Sequence, residues 1–342
     1  MSIICIGQCA YDLTFPIQEP LIENQKYRIM EPFSCIGAPA ANAAYLCALW
    51  NAETVLISRC GKDFYGAEIR RVLKEAGVDT AYLMEDESFS TPVSAIIANS
   101  FNGYRTIFNC PGIQRKLEFH YPEQAEILLL DGHELQASLE ALSRYPDIDS
   151  IMDAGTFHEE TSVLAQKVTY LVCSQDYARQ FSNIEVSIQD ENSWRQTFDA
   201  LHALNAGHIV VTLGDQGLLY EDTQGIHHIE AFNVSAVDTT GAGDIFHGAF
   251  TYCIHKSYPL QDALIIASAT SAISVQTLGG QTSIPTKAAA SGECRHILNS
   301  CKVSWQQRSA MRTDMWKTQP TKWFAAVLPG MQKPCIFNMM HP

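Results

Sequence analysis

Short apolar runs at residues 3–7, 54–58, 127–131, 150–153, 170–173 and 209–213 constrain this chain more than any other feature. Each is rich in Ile, Leu and Val and too short for a helix, which is the signature of a strand buried on both faces. Helical patterning lies between several of them, at residues 66–76 and 192–204. Strands alternating with helices imply long crossovers and a parallel sheet covered on both sides. The fold class is therefore α/β. Ligands in such sheets gather beyond the carboxyl ends of the strands. Asp12, Asp131, Ser174 and Gly214 all fall at such ends.

Two segments break the alternation. Runs at 93–99 and 104–109 are β-rich and joined through Ser100-Phe101-Asn102-Gly103, and Asn-Gly favours a hairpin turn. Residues 15–34 are extended and polar. There are no internal repeats and no low-complexity tracts.

The stretch Val237-Asp238-Thr239-Thr240-Gly241-Ala242-Gly243-Asp244-Ile245-Phe246-His247-Gly248 sets a small-residue turn before an apolar run. Such a turn presents bare backbone N–H groups, and a helix start adds unpaired N–H groups and the positive end of its dipole. Gly241, Ala242 and Gly243 thus form a cradle for an anion, with Asp244 beside it as a candidate base. Phosphoryl transfer to a hydroxyl needs those two parts. A helix cap at a loop junction is the competing role for Asp244.

The string from Asp238 to Asp244 resembles the C-terminal signature of the ribokinase-like (phosphofructokinase-B) sugar kinases. The resemblance extends from Cys5 to about Pro285. It includes Ile6-Gly7 with Asp12, the turn Gly37-Ala38-Pro39-Ala40-Ala41-Asn42-Ala43, and Gly61-Lys62-Asp63-Phe64-Tyr65-Gly66. Ser174, the Gly-Ala-Pro-Ala-Ala-Asn turn, Asp131-Gly132-His133 and Phe246-His247-Gly248-Ala249 look closest to the branch holding ketohexokinase and sulfofructose kinase. The resemblance implies a three-layer α/β/α sandwich with a mostly parallel central sheet and a small β lid. The kinase domain would run from 1 to 298, with the lid drawn from about 13–35 and 90–112. It implies ATP-dependent phosphorylation of a primary hydroxyl of a small sugar, a ketose or a sugar derivative.

Residue by residue, the resemblance makes Asp244 the base and Gly241, Ala242 and Gly243 the phosphoryl cradle. Asp12, Gly37 and Asn42 would hold the sugar. A carboxylate suits two neighbouring hydroxyls, an amide both donates and accepts, and glycine lets backbone approach the ligand. Read alone, Asp12 is better explained as a turn residue and Asn42 as a helix cap. Arg105 matches a basic residue that reaches into the site from the lid, with a solvated hairpin arginine as the alternative. Thr212, Gly214 and Gly217 resemble a nucleotide turn, and Ser174 and Gly279 join them as ATP contacts. Asp238, Thr240, Ser274, Thr277, Gly279 and Ser283 occupy the positions of a monovalent-cation site in many members. ATP, Mg2+ and K+ are the implied cofactors. The family's Asn-x-x-Glu is absent: Ser174-Gln175-Asp176-Tyr177-Ala178 stands in its place, with Asp176 one position early.

Composition narrows the alternatives. The chain has 342 residues, 46% hydrophobic and 18% charged, which suits a soluble globular protein. A net charge of −14 argues against nucleic-acid binding. No apolar run reaches membrane-spanning length. Eleven cysteines without a C-x-x-C pair read as reduced, buried thiols of a cytoplasmic protein. The histidines show no metal spacing, and Gly61-Lys62 is not a P-loop. Residues 287–342 hold 8 of the 23 Lys and Arg but 2 of the 37 Asp and Glu, with Trp305, Trp316 and Trp323 among them. We expect residues 299–342 to be an appendage outside the kinase body. The lid is expected to carry a homodimer contact.

Three other classes of protein compete with this reading. A nucleoside kinase would share the glycine turn and lid. A nicotinamide oxidoreductase needs Gly-x-Gly-x-x-Gly after the first strand, and here Gly7 precedes Gln8-Cys9-Ala10. A non-catalytic sugar sensor would have no use for an intact Asp244 and its turn.

Overall fold

The computed structural model describes residues 2–101, 104–112 and 118–290. The Asn102-Gly103 turn, the 299–342 segment and the 298 boundary lie outside the described residues. The chain enters through β1 (Ile3–Ile6), β2 (Ala10–Ile17) and β3 (Phe33–Gly37), then α1 (Pro39–Leu49), β4 (Thr54–Gly61) and α2 (Phe64–Ala76). Short strands β5 (Val78–Asp79) and β6 (Leu83–Asp86) precede β7 (Val93–Asn99) and β8 (Arg105–Cys110). Alternation then resumes with β9 (Ile127–Leu130), α3 (Leu135–Arg144), β10 (Asp149–Ala154), α4 (Glu159–Ala165) and β11 (Tyr170–Ser174). It continues through α5 (Gln175–Ser182), α6 (Glu191–Leu204), β12 (His208–Thr212), β13 (Leu218–Asp222) and β14 (Gly225–Ile229). Helices α7 (Ala242–His255) and α8 (Leu260–Ser274) follow.

The main sheet has the order β14-β13-β12-β11-β10-β9-β1-β4-β5, with β6 also on β4. Pairings from β12 to β5 are parallel. Only β13 and β14 join antiparallel, at one edge. Side chains alternate across a strand, and the core splits accordingly. Ile3, Cys5, Leu129, Val172 and Val210 pack with α1, α2, α7 and α8. Ile4, Ile6, Leu128, Leu130 and Val211 pack with α3, α4, α5 and α6 on the other face. The outcome is the expected three-layer sandwich. Burying each such Ile or Leu contributes about 1.5–3 kcal/mol.

Helix ends follow local chemistry. Asp63 caps α2 by accepting from the Gly66 N–H at 2.9 Å, and Asp190 caps α6 by accepting from Asn192. Seven of the eight cysteines among the described residues are buried, and none of the eight is in a disulfide. No described helix is long and apolar enough to cross a membrane.

The four-stranded lid, β3-β2-β7-β8, is a separate sheet. It uses the two segments that broke the alternation. Its edge strand β8 is exposed along its whole length, with Ile107 and Phe108 uncovered.

Helices α1 and α7 lie close together because small residues face each other. A Cβ on Gly248 would stand 3.0 Å from the Ala43 Cα. Gly248→Val is expected to force the two helices apart and cost about 1–3 kcal/mol, measurable by urea unfolding.

Candidate active site

The site forms where α7 starts, above the carboxyl edge of the parallel strands and beneath the lid. Gly241 precedes α7 with φ 74°, a left-handed conformation that favours glycine, and no side chain caps the helix. The Ala242 N–H turns back to Thr239 O at 3.3 Å, and the first turn of a helix otherwise leaves N–H groups that a ligand can take. An added Cβ at Gly243 would meet nothing within 4 Å, so the turn opens onto space.

Asp244 lies in the first turn of α7 and is half-buried. Its Oδ2 accepts a hydrogen bond from the Asn42 amide at 2.7 Å. Burial raises its pKa above the ordinary carboxylate value, and Asn42 and His247 act in the opposite sense. Asn42 is buried on α1, and its Oδ1 has no protein partner. That oxygen is suited to accept from a ligand hydroxyl. The turn leading into α1 is strained: Ala38 adopts φ 78° and ψ 152°, immediately before Pro39. Such backbone costs of order 1–3 kcal/mol and clusters at functional sites.

Asp12 on β2 is 6% exposed and stands opposite Cys35 of β3. Its carboxylate occupies the space beside Gly37, where a Cβ would fall 2.0 Å from Oδ2. Gly37 is therefore required by the close approach of Asp12. Burial pushes the Asp12 carboxyl up to about 6, a Ser94 hydrogen bond opposes it, and Asp244 and Asp238 add to the rise. From the lid, Arg105 Nη1 donates to Thr239 Oγ1 in the glycine turn. The lid is thus tied to the residue just before Thr240 and Gly241.

The 238–240 and 274–283 loops are held together. Asp238 is 2% exposed and accepts from Thr240 N, Thr240 Oγ1 and Gly279 N. Ser274 and Ser283 are buried, and their hydroxyls donate to Ser271 O and Gly280 O. Thr277 Oγ1 donates to Ser274 O. One carboxylate amid hydroxyls and carbonyls fits a monovalent cation held by oxygen, though the Asp238 carboxylate already serves three protein donors. Among the described residues, no group of three or more His, Cys, Asp or Glu could hold a metal ion.

The nucleotide candidates are spread along neighbouring strand ends. Thr212 ends β12, and Gly214 (φ 62°) has open space beside it. Gly217 packs against β14, where a Cβ would fall 2.0 Å from Ile229 O. Ser174 accepts from Tyr177 N at 3.0 Å and donates to Gly155 O at 2.6 Å, so its hydroxyl caps α5 and ties two strand ends. Asp176 is exposed and paired with Arg179 at 2.8 Å.

Sequence reasoning assigned no role to four residues in this arrangement. Asp131 accepts from the Gln8, Ala40 and His133 N–H groups, joining β1, α1 and β9. Asp131 also pushes the His133 imidazole up to about 9. Asp153, at the end of β10, lies 3.2 Å from His247 Nδ1 on α7. Burial pushes the Asp153 carboxyl up to about 6. Both aspartates stand at the carboxyl ends of apolar runs, which was the available signal.

A glycine turn at a helix start, an adjacent carboxylate and a β lid on a parallel sandwich suit a sugar-kinase class of protein. Residues 1–287 match the pfkB family of carbohydrate kinases, and the chain belongs to that family. It is similar to the ribokinase of Staphylococcus aureus, 29% identical over 73% of this chain and 84% of that one. It is also similar to the deoxyribokinase of Salmonella typhi, 26% identical over 84% and 96%. The crystal structure of a putative ribokinase from Agrobacterium tumefaciens superposes with TM-score 0.78 at 24% identity, over 88% of this chain and 99% of that one. An archaeal nucleoside kinase from Methanocaldococcus jannaschii gives TM-score 0.69 at 21% identity, over 86% and 98%.

Asp12 has a pKa raised on folding, so its neutral form is favoured in the folded state. The stability it contributes is full below about pH 4 and is lost as pH rises through about 6. Asp12→Asn is expected to stabilise the fold at pH 8 by about 1–3 kcal/mol and by little near pH 4. Urea unfolding at the two pH values checks this.

Proposed function

We propose that this carbohydrate kinase transfers the γ-phosphoryl of ATP to a primary hydroxyl of a small sugar, a ketose or sugar derivative. The observation that carries the reading is Asp244, half-buried in the first turn of α7, beside the open Gly243 and held by Asn42. Asp12 and the free Oδ1 of Asn42 would orient the sugar hydroxyls. Asp244 would take the proton of the attacking hydroxyl, and the Gly241, Ala242 and Gly243 N–H groups would stabilise charge on the phosphoryl. Thr212, Gly214, Gly217 and Gly279 would line the nucleotide, with Ser174 acting through the loop it ties. Mg2+ arriving with the nucleotide would screen phosphate charge, and a monovalent cation such as K+ beside Asp238 would order the two loops. The reach of Arg105 to Thr239 supports a role for the lid at the acceptor and favours the ketohexokinase-like branch. The ribokinase and deoxyribokinase relatives make ribose and deoxyribose the pentose comparison.

The test is an ATP-coupled phosphorylation screen over ketoses, sulfo- and amino-sugars, ribose, deoxyribose and nucleosides. A ketose or sugar derivative is expected to have the highest kcat/KM. A pentose as best substrate would discard the ketose-type reading, and a nucleoside would move the chain to nucleoside kinase activity. Asp244→Asn is expected to lower kcat about 10²–10⁴-fold. Because burial raises the Asp244 pKa, the base is lost to protonation at a higher pH than an exposed carboxylate. The acid limb of kcat/KM should therefore lie above about pH 4.

The exposed edge of β8, with Ile107 and Phe108, also supports a homodimer through the lid. Phe108→Asp is expected to shift a dimer to monomer in size-exclusion chromatography with light scattering. We assign residues 299–342 to an appendage outside the kinase domain.

A further inference from the structure

We infer that His247 is a positioning residue that pins the start of α7 and sets a compensating positive charge beside Asp244. The inference rests on the kinase reading above, with Asp244 as base. His247 lies one turn beyond Gly243, and its side chain is 5% exposed. Its Nδ1 is 2.7 Å from Gly243 O and 3.2 Å from Asp153 Oδ2, and its Nε2 is 3.3 Å from Val172 O. Every one of these neighbours is an oxygen acceptor. A neutral imidazole has a single N–H, so the ring serves both sides only when doubly protonated. One side chain thus joins the anion turn to the end of β10 and the middle of β11.

The charge matters because acidic groups converge here from several elements. Asp131 from β9 acts on Asp244 against ionisation, while Arg105 from the lid and Asn42 from α1 favour it. Asp153 faces Asp244, Asp131 and His133 as well as His247. Asp12 from β2 and Asp238 from the preceding loop add further negative charge. A cation among them offsets repulsion that would otherwise favour a protonated, inactive base. A histidine that merely filled the core would have no such effect on Asp244.

The test compares full-length wild type with His247→Asn and His247→Gln, measuring kcat and KM from about pH 5 to about pH 9. Both variants keep a donor and remove the charge. We expect the acid limb of kcat to move to higher pH, giving about a tenfold loss near pH 6 that shrinks to within about threefold near pH 8.5. KM should change by less than about threefold. A limb unmoved in folded variants, or a loss equal at all pH values, overturns the inference. If neither variant folds, ring ¹⁵N shifts of His247 in the wild-type chain at neutral pH decide it. Two protonated nitrogens are expected, and one bare nitrogen overturns it. Asp244→Asn separates the two readings: full activity there removes the base, whereas an inactive variant beside unshifted His247 variants removes only the role of His247.

Discussion

The hydrogen bond from the Asn42 amide to the Asp244 carboxylate is the interaction on which the site depends. Its partners are 202 residues apart in sequence. They meet because α1 and α7 pack closely where Gly248 faces Ala43. The same packing leaves Asp244 half-buried, and burial is the main cause of its raised pKa. Helix packing, carboxylate chemistry and the open glycine turn are thus consequences of one close approach.

That arrangement opposes stability. Asp12, Asp131 and Asp153 are all buried near Asp244, and the carboxyls of Asp12 and Asp153 are pushed up to about 6. Buried like charges are costly unless hydrogen-bonded or paired. Asp131 meets three backbone N–H groups, Asp244 meets Asn42, and Asp153 meets His247. Asp12 is the least relieved, since its neighbours include two further carboxylates. A strained Ala38 and a crowd of acids mark a region shaped for function rather than for folding.

The central strands were legible because a strand buried on both faces must be apolar throughout, as in residues 3–6 and 127–130. The edge strands β13 and β14 were not, since half-buried residues such as His227 and His228 mask any apolar run. The glycine turn and Asp244 announced themselves by chemistry at one locus. Asp12 and Asn42 did not, because each means little until β2 and α1 are folded against α7: a strand-end position pointed weakly to Asp12, and only the family resemblance pointed to Asn42. The pairing of Asp153 with His247 was hidden for a related reason, as it exists only once α7 lies on β10. Ser174 shows the reverse, a residue read as a ligand contact whose hydroxyl is engaged in capping a helix.

One further contact fixes where the chain stands at Pro285. Trp50, just past the end of α1, is fully buried against Tyr252 and donates its indole N–H to Pro285 O at 3.0 Å. Asn42 sits eight positions earlier on that helix, which separates the two by roughly 12 Å along its axis. The backbone at Pro285 is therefore fastened to the end of α1 remote from Asn42. The 274–283 loop and the residues just after it are thereby pinned at two places, by Asp238 at Gly279 and by Trp50 at Pro285.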